Sequence, residues 1–372
     1  MTDLPTHDYT DLILLLADVT VRREAMDAAI ALLDSGDVDW ASFVDAAARH
    51  KVLPLIGRNL VRLGVETRGG NPYPLLFAFA YVGNRARNET LAGEYSRVFA
   101  ALERADVVFA VRKGFFIAEH FYGDSGVRQS NDLDLLVERS DVERAGAVLE
   151  SLNYAQGKLN ESRQRVEPFS RETRLFWKLN LSNELPFLKP ALRDDVPVFN
   201  VDLCHNLFQK HAGASIDTGE VLARRERSFI CNTEAWAMSP ADALLDICAH
   251  LHKEATSVLF VNEGVDLQLS KFLDVALVSR RTTDASWDLF LSTVRRATAE
   301  RIAFYSLYFA ESLFPGSVPT RVLETLAPSD LGYLDDFGTM DGETTRWMLP
   351  FRERLFHPER HREASTTKVP MR

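Results

Sequence analysis

The sequence predicts an α+β fold, with a small strand-containing core in the middle of the chain and helical domains on both sides. Three observations carry this expectation. Apolar residues recur at helical spacing from about residue 9 to 66, and again from Ser239 onward. Between them lie short β-rich runs at 107–111, 132–137 and 197–203. Helical patterns at 115–122 and 141–152 alternate with the first two runs, as in layered α/β cores. The expected boundaries are a helical domain at 1–83, the core at 84–235, a second helical domain at 236–357, and a polar, disordered tail at 358–372.

Each element has its own warrant. Trp40, Phe43 and Ala47 share a helix face, and Asp39 stands where an N-cap belongs. Pro54 suits a first helical turn and leads Leu55, Ile56, Leu60 and Leu63. Residues 68–72, with two glycines and a proline, break the pattern. An apolar stretch at 75–82 then runs into an amphipathic helix reaching about Arg104, with Leu91, Tyr95, Phe99 and Leu102 on one side. After the 107–111 strand, Arg112-Lys113-Gly114 marks a turn, and Gly123 closes the helix that follows. The stretch 155–195 shows no clear periodicity. In the 197–203 strand, Phe199, Val201 and Leu203 face the core, while Asn200 and Asp202 face the other way. Ser239-Pro240-Ala241-Asp242 reads as a capping box, and helices are expected at about 266–280, 287–314 and 319–326.

Composition excludes several classes. A hydrophobic fraction of 46% and a charged fraction of 26% are ordinary for a globular protein. A net charge of −10 argues against a general nucleic-acid coat or a binder of anionic membranes. Three cysteines without paired spacing argue for a reducing compartment. The run at 12–17 is too short for a signal peptide, and no uncharged apolar segment approaches the roughly 20 residues that span a bilayer. A cytoplasmic protein with no membrane partner is expected.

The chemistry concentrates at residues 128–137. In a strand, residues two apart share a face, so Asp132 and Asp134 lie together at the start of a buried strand. Adjacent buried carboxylates repel unless cations neutralise them. The pair therefore reads as a divalent-metal site, with Mg²⁺ favoured because it takes hard oxygen ligands plus substrate phosphates. The motif alone is weak, since Asp37-Val38-Asp39 repeats it without a following strand. Lys113-Gly114, at a strand-to-helix turn, can approach a phosphate through backbone and ammonium. Asp202, on the polar face of another strand, is the natural third carboxylate. Such acids can hold two metals about 3.5–4 Å apart for in-line phosphoryl displacement. Arg128 either orients a triphosphate or pairs with Asp132 or Asp134 to relieve their repulsion.

Lys113-Gly114, Tyr122, Arg128 and Asp132-Leu133-Asp134-Leu135-Leu136-Val137 together resemble the uncharacterised nucleotidyltransferase family of the DNA-polymerase-β-like superfamily. Leu152-Asn153-Tyr154, the stretch 48–55, the helix at 245–252 and Phe272-Leu273-Asp274 are similar to further elements of that family. The resemblance implies a small mixed-sheet nucleotidyltransferase core. It implies transfer of a nucleoside monophosphate from a nucleoside triphosphate, most simply ATP, with Mg²⁺ (two ions) held by Asp132, Asp134 and Asp202. Lys113, Gly114 and Arg128 would meet the nucleotide. Three departures stand out: Lys113-Gly114-Phe115 replaces the superfamily's Gly-Ser, Asn131 replaces a small residue, and Cys204 displaces a histidine to His205.

Acceptor, base and oligomeric state stay open, with a small molecule or peptide the favoured acceptor. The alternatives are toxin-like modification of tRNA or of a partner protein, and a non-catalytic binding module of the same fold. The basic and aromatic segment 158–178 could grip an RNA end, though a solvated connection is the plainer reading. His250 and His252, two apart on a helix, face different ways and read as packing residues rather than zinc ligands.

Overall fold

The computed structural model describes residues 8–36, 38–338, 342 and 344–360. Four helices open the chain: α1 (Asp8–Leu16), α2 (Arg23–Ser35), α3 (Trp40–Arg49) and α4 (Leu53–Leu63). Asp39 caps α3, accepting from the N–H groups of Ala41 and Ser42 at 3.1 Å. Asp37, the other half of that pair, lies outside the described residues. Pro54 sits in the first turn of α4, which ends at Gly64 with φ 65°. α5 (Pro74–Arg104) then runs for 31 residues and crosses the boundary expected at 83–84 without a break. Leu91, Tyr95, Phe99 and Leu102 are fully buried along it. They cover one face of the sheet, where Phe99 stacks on Phe109 at 6.1 Å and Tyr95 meets Phe115 edge-on at 5.3 Å.

The core follows as β1 (Phe109–Val111), α6 (Gly114–Ile117), β2 (Leu133–Val137) and α7 (Val142–Ser151). α6 continues through a wider π-helical turn to Tyr122, and Gly123 ends it with φ 67°. The stretch without periodicity folds as β3 (Ala155–Leu159), β4 (Val166–Pro168), α8 (Arg171–Asn180) and β5 (Phe187–Pro190). These strands are short and mostly half-exposed, so they carry no run of apolar residues to read. β6 (Val198–Cys204) is the third expected strand, with Val201 and Leu203 fully buried. After α9 (Thr218–Ala223) come β7 (Glu226–Ile230) and β8 (Thr233–Ala237), a hairpin that the sequence did not announce. Its two turn residues, Cys231 and Asn232, have φ 53° and 61°, the left-handed pair of a tight hairpin turn. β8 spans the boundary expected at 235–236.

The eight strands form one mixed sheet in the order β4-β3-β5-β6-β2-β1-β8-β7. β2 pairs antiparallel with β1 and parallel with β6. The β2–β6 register sets Leu133 beside Val201 and Asp134 beside Asp202. Thus the α+β class and the flanking helices stand as expected.

The C-terminal helices are α10 (Pro240–Thr256), α11 (Val258–Asn262), α12 (Leu269–Arg281), α13 (Asp284–Arg296), α14 (Glu300–Leu313) and α15 (Thr320–Leu326). Ser239 caps α10, accepting from the Asp242 N–H at 3.3 Å, the serine half of the expected capping box, while its hydroxyl donates to the Asp242 carboxylate at 2.6 Å. The single helix expected at 287–314 is instead two, broken at Thr298 with φ 57°. No glycine or proline marks that break, so the periodicity read straight through it. A small ladder, β9 (Asp336–Phe337) with β10 (Thr345–Arg346), and α16 (Phe351–Phe356) complete the described chain. Most of the expected tail lies outside the described residues, but its start is packed: Arg360 is buried and donates to Asp266 at 2.9 Å. One hydrophobic core joins residues from α1 to α16. No helix among the described residues is long and apolar enough to cross a membrane.

Candidate active site

Asp132 directly precedes β2, Asp134 lies within it, and Asp202 is its partner in β6. The parallel register therefore converts sequence positions far apart into one cluster. One oxygen from each of the three carboxylates lies within 4.8 Å of the others. Among the described residues no other group of histidine, cysteine or acidic side chains gathers in this way.

The loop that delivers Asp132 is clamped by α5. Asn84 donates to the carbonyl of Gly126 at 2.8 Å, and Asn88 donates to those of Ser125 and Arg128 at 2.6 and 2.8 Å. Arg87 donates to the Ser130 carbonyl and, at 3.1 Å, to the Asn131 side chain. These amide and guanidinium groups sit on a helix with a weakly amphipathic pattern, and nothing in their spacing signalled the task. Arg112, the residue before Lys113, is buried and paired with Asp246 of α10, Nε to Oδ2 at 3.0 Å.

Lys113 places its ammonium 3.1 Å from Asp134 Oδ2 and 3.4 Å from His250 Nδ1. Its backbone is strained, with φ 40°, and Gly114 follows at φ 31°. A Cβ at Gly114 would find ordinary space, 3.6 Å from the Asp132 carbonyl, so the backbone angle is what favours glycine there. Arg128 does not pair with Asp132 or Asp134. Its fork is taken by Asp274 of α12, Nε at 2.9 Å and Nη2 at 2.7 Å, and Tyr122 donates to the same carboxylate at 2.8 Å. The three residues that carried separate parts of the resemblance thus form one buried cluster.

Electrostatics separates the three acids. Burial, then the charge of Asp134, pushes the Asp132 carboxyl up. Burial also pushes Asp134 up, but the Lys113 ammonium and Arg112 guanidinium outweigh it and hold that carboxyl below its ordinary value. For Asp202 the balance reverses: burial, followed by the charges of Asp134 and Asp132, outweighs the same Lys113 and Arg112 cations and raises it to about 8. Lys113 mirrors Asp134: burial would lower it, yet Asp134 leaves it raised.

A cleft of about 200 Å³ opens beside Asp132 and Asp134. The sequence pointed to Lys113, Gly114 and Arg128 on its wall, but Lys51, His250, Glu254, Gln268 and Lys271 also line it. His250 Nε2 lies 3.0 Å from Glu254, whose other oxygen meets Lys271. Burial, then the lysine charges, keeps the His250 ring neutral. A neutral ring that donates from Nε2 to Glu254 leaves its Nδ1 lone pair to accept from Lys113. His250 is thus part of the cleft, whereas His252 packs edge-on against Tyr305 at 5.2 Å, as a packing residue would. His205 follows β6, and the charges acting on it are those of Arg139 and Lys210, not the aspartates. The basic stretch 158–178 forms the β3–β4 hairpin and α8, whose Leu175, Phe176 and Leu179 are exposed.

A family model described as an uncharacterised nucleotidyltransferase matches residues 36–315. The chain belongs to that family. The match begins before α3 and ends after α14, so it takes in the carboxylates and every residue named on the cleft. The protein is a nucleotidyltransferase, an enzyme of nucleotidyl transfer that uses a nucleotide substrate. No curated protein matches the chain.

Proposed function

We propose that this nucleotidyltransferase moves a nucleoside monophosphate from a triphosphate, ATP in the simplest case, to a small molecule or peptide acceptor in a Mg²⁺-dependent reaction. One observation carries the reading: the Asp134–Asp202 register gathers three carboxylates beside a lysine-lined cleft. The donor set suits the ion, being all oxygen and mutually repelling. When bound, Mg²⁺ would neutralise these acids and polarise the phosphoryl oxygens.

The chain's own groups divide the remaining work. Asp132 and Asp134 hold the nucleotide end, where Lys113 and the Gly114 turn meet phosphate. Arg128, already fixed by Asp274, borders the cleft and lends it positive charge. Asp202 supplies the oxygen nearest the acceptor and takes up the proton of its nucleophile. The acceptor oxygen bonds to the α-phosphorus, the α–β bridging bond breaks, and pyrophosphate leaves. The three free cysteines, all buried, support a reducing, cytoplasmic setting.

The test is transfer of label. Wild-type protein, Mg²⁺, each α-³²P nucleoside triphosphate and a cell lysate should yield label in one macromolecular or small-molecule fraction. Asp134→Asn should yield none. Absence of transfer from all four nucleotides would sink the proposal. A further expectation concerns Lys113→Ala. Its charge meets the bound triphosphate as well as the transition state, so nucleotide affinity should fall about tenfold or more while kcat falls less. Equal affinity in the variant would remove Lys113 from the site.

A further inference from the structure

Lys51 occupies the junction between α3 and α4, remote in sequence from every aspartate of the site. Its neighbour His50 is fully buried and ties this junction to the start of α12: the ring Nδ1 accepts the Leu269 N–H at 3.2 Å, and the His50 carbonyl accepts the Ser270 N–H at 3.2 Å. The same contact brings Lys51, Ser270 and Lys271 to the cleft that Asp132 and Asp134 also line, near enough for the Asp132 charge to act on Lys51. Lys51 takes φ 57°, a left-handed backbone that a lysine adopts only when its surroundings impose it.

The cations of the cleft differ in what already holds them. Arg128 is taken by Asp274, Lys271 by Glu254, and Lys113 by Asp134. The Lys51 ammonium, half-buried, has no ion pair or hydrogen bond among the described residues. A cation withdrawn from water without a partner costs free energy unless an anion joins it. A strained backbone that holds such a cation in the cleft lined by Asp132 and Asp134 gives that anion a place.

We propose that Lys51 is a ligand for the polyphosphate of the nucleotide, so that the N-terminal helices complete the substrate site rather than merely flank it. The inference rests on the nucleotidyl-transfer reading and adds a residue to it. Lys51 and Lys113 then reach the phosphate chain from two separate elements of the cleft lining, one from the α3–α4 junction and one from the β1–α6 turn. A single negative group cannot satisfy both as well as an extended polyphosphate can.

Inorganic tripolyphosphate with Mg²⁺, titrated calorimetrically, tests this without a choice of base, and ATP serves as the second probe. Lys51→Asn removes the charge with a residue that tolerates the left-handed backbone, and Lys51→Arg keeps the charge. Lys51→Asn should match or exceed the wild-type thermal midpoint and lose about tenfold or more in affinity for both probes, the loss expected for one charge-assisted hydrogen bond. Lys51→Arg should retain most of the affinity, and adenosine should show no difference among the three proteins. Wild-type binding that persists undiminished in Lys51→Asn overturns this inference alone. Failure of the wild-type protein to bind either probe overturns it together with the nucleotidyl-transfer reading. If Lys51→Asn melts early, Lys51→Met, which keeps a lysine-length unbranched stem without the charge, carries the same expectations.

Discussion

Asp132→Asn and Asp134→Asn should both abolish nucleotidyl transfer, by several orders of magnitude if they hold the metal of the reaction. Their effects on the metal-free fold should have opposite signs. Asp132 carries a carboxyl raised by burial and by the charge of Asp134, so its ionised form is less favourable folded than unfolded. At neutral pH, the amide removes that penalty, and the melting temperature in EDTA should rise. Asp134 is the reverse case. Lys113 and Arg112 hold it below its ordinary value despite its burial, so its ionisation contributes stability above the unfolded-state pKa, lost as pH falls through the folded one. At neutral pH that contribution is fully present. Asp134→Asn discards it and leaves the Lys113 ammonium, 3.1 Å away, without its counter-charge. Its melting temperature should fall. Melts of both variants in EDTA at pH 7, beside a transfer assay, decide the matter. Two shifts of the same sign would mean that Lys113 does not hold Asp134 as described, and retained transfer would remove that acid from the reaction.

Much of this site could be read before any coordinates. Asp132 and Asp134 were legible because period-2 alternation put two acids on one face of a buried strand, a placement with little structural use. Asp202 was legible by its place on the polar face of a strand, but the Asp134–Asp202 pairing was not, since register across a parallel crossover leaves no trace in spacing. Arg128 shows the limit of local charge logic. Two acids lay a few residues away, yet the guanidinium reaches Asp274, contributed by α12, 146 residues on. Lys51, His250, Glu254 and Lys271 escaped for the same reason: Lys51 sits in an interhelical turn and the others on ordinary amphipathic helices, and only packing brings them to the cleft. The β7–β8 hairpin was missed because its turn uses Cys231-Asn232 rather than a glycine pair.

Asp202→Asn should retain nucleotide binding and lose turnover by several orders of magnitude. In the proposed reaction Asp132, Asp134 and Lys113 hold the nucleotide and are untouched by the change, so magnesium-dependent stabilisation by the triphosphate should persist. What would disappear is the oxygen proposed to meet the acceptor, needed only as the new bond forms, and a loss confined to that step lowers kcat without raising KM. The metal-free protein offers a separate readout. Burial and then the charges of Asp134 and Asp132 raise Asp202 to about 8. The folded form therefore holds a proton that the unfolded chain has released above its ordinary carboxylate range. Stability from this group is complete below the unfolded-state pKa and is lost as pH rises through about 8. Asp202→Asn cannot lose it. In EDTA the variant's melting temperature should gain on the wild type steadily from pH 5 to about 9, a difference that cancels the titration of neighbouring lysines common to both proteins. A constant difference across that range would show that Asp202 is not crowded by the other two acids. Near-normal turnover would take it out of the catalytic cluster altogether.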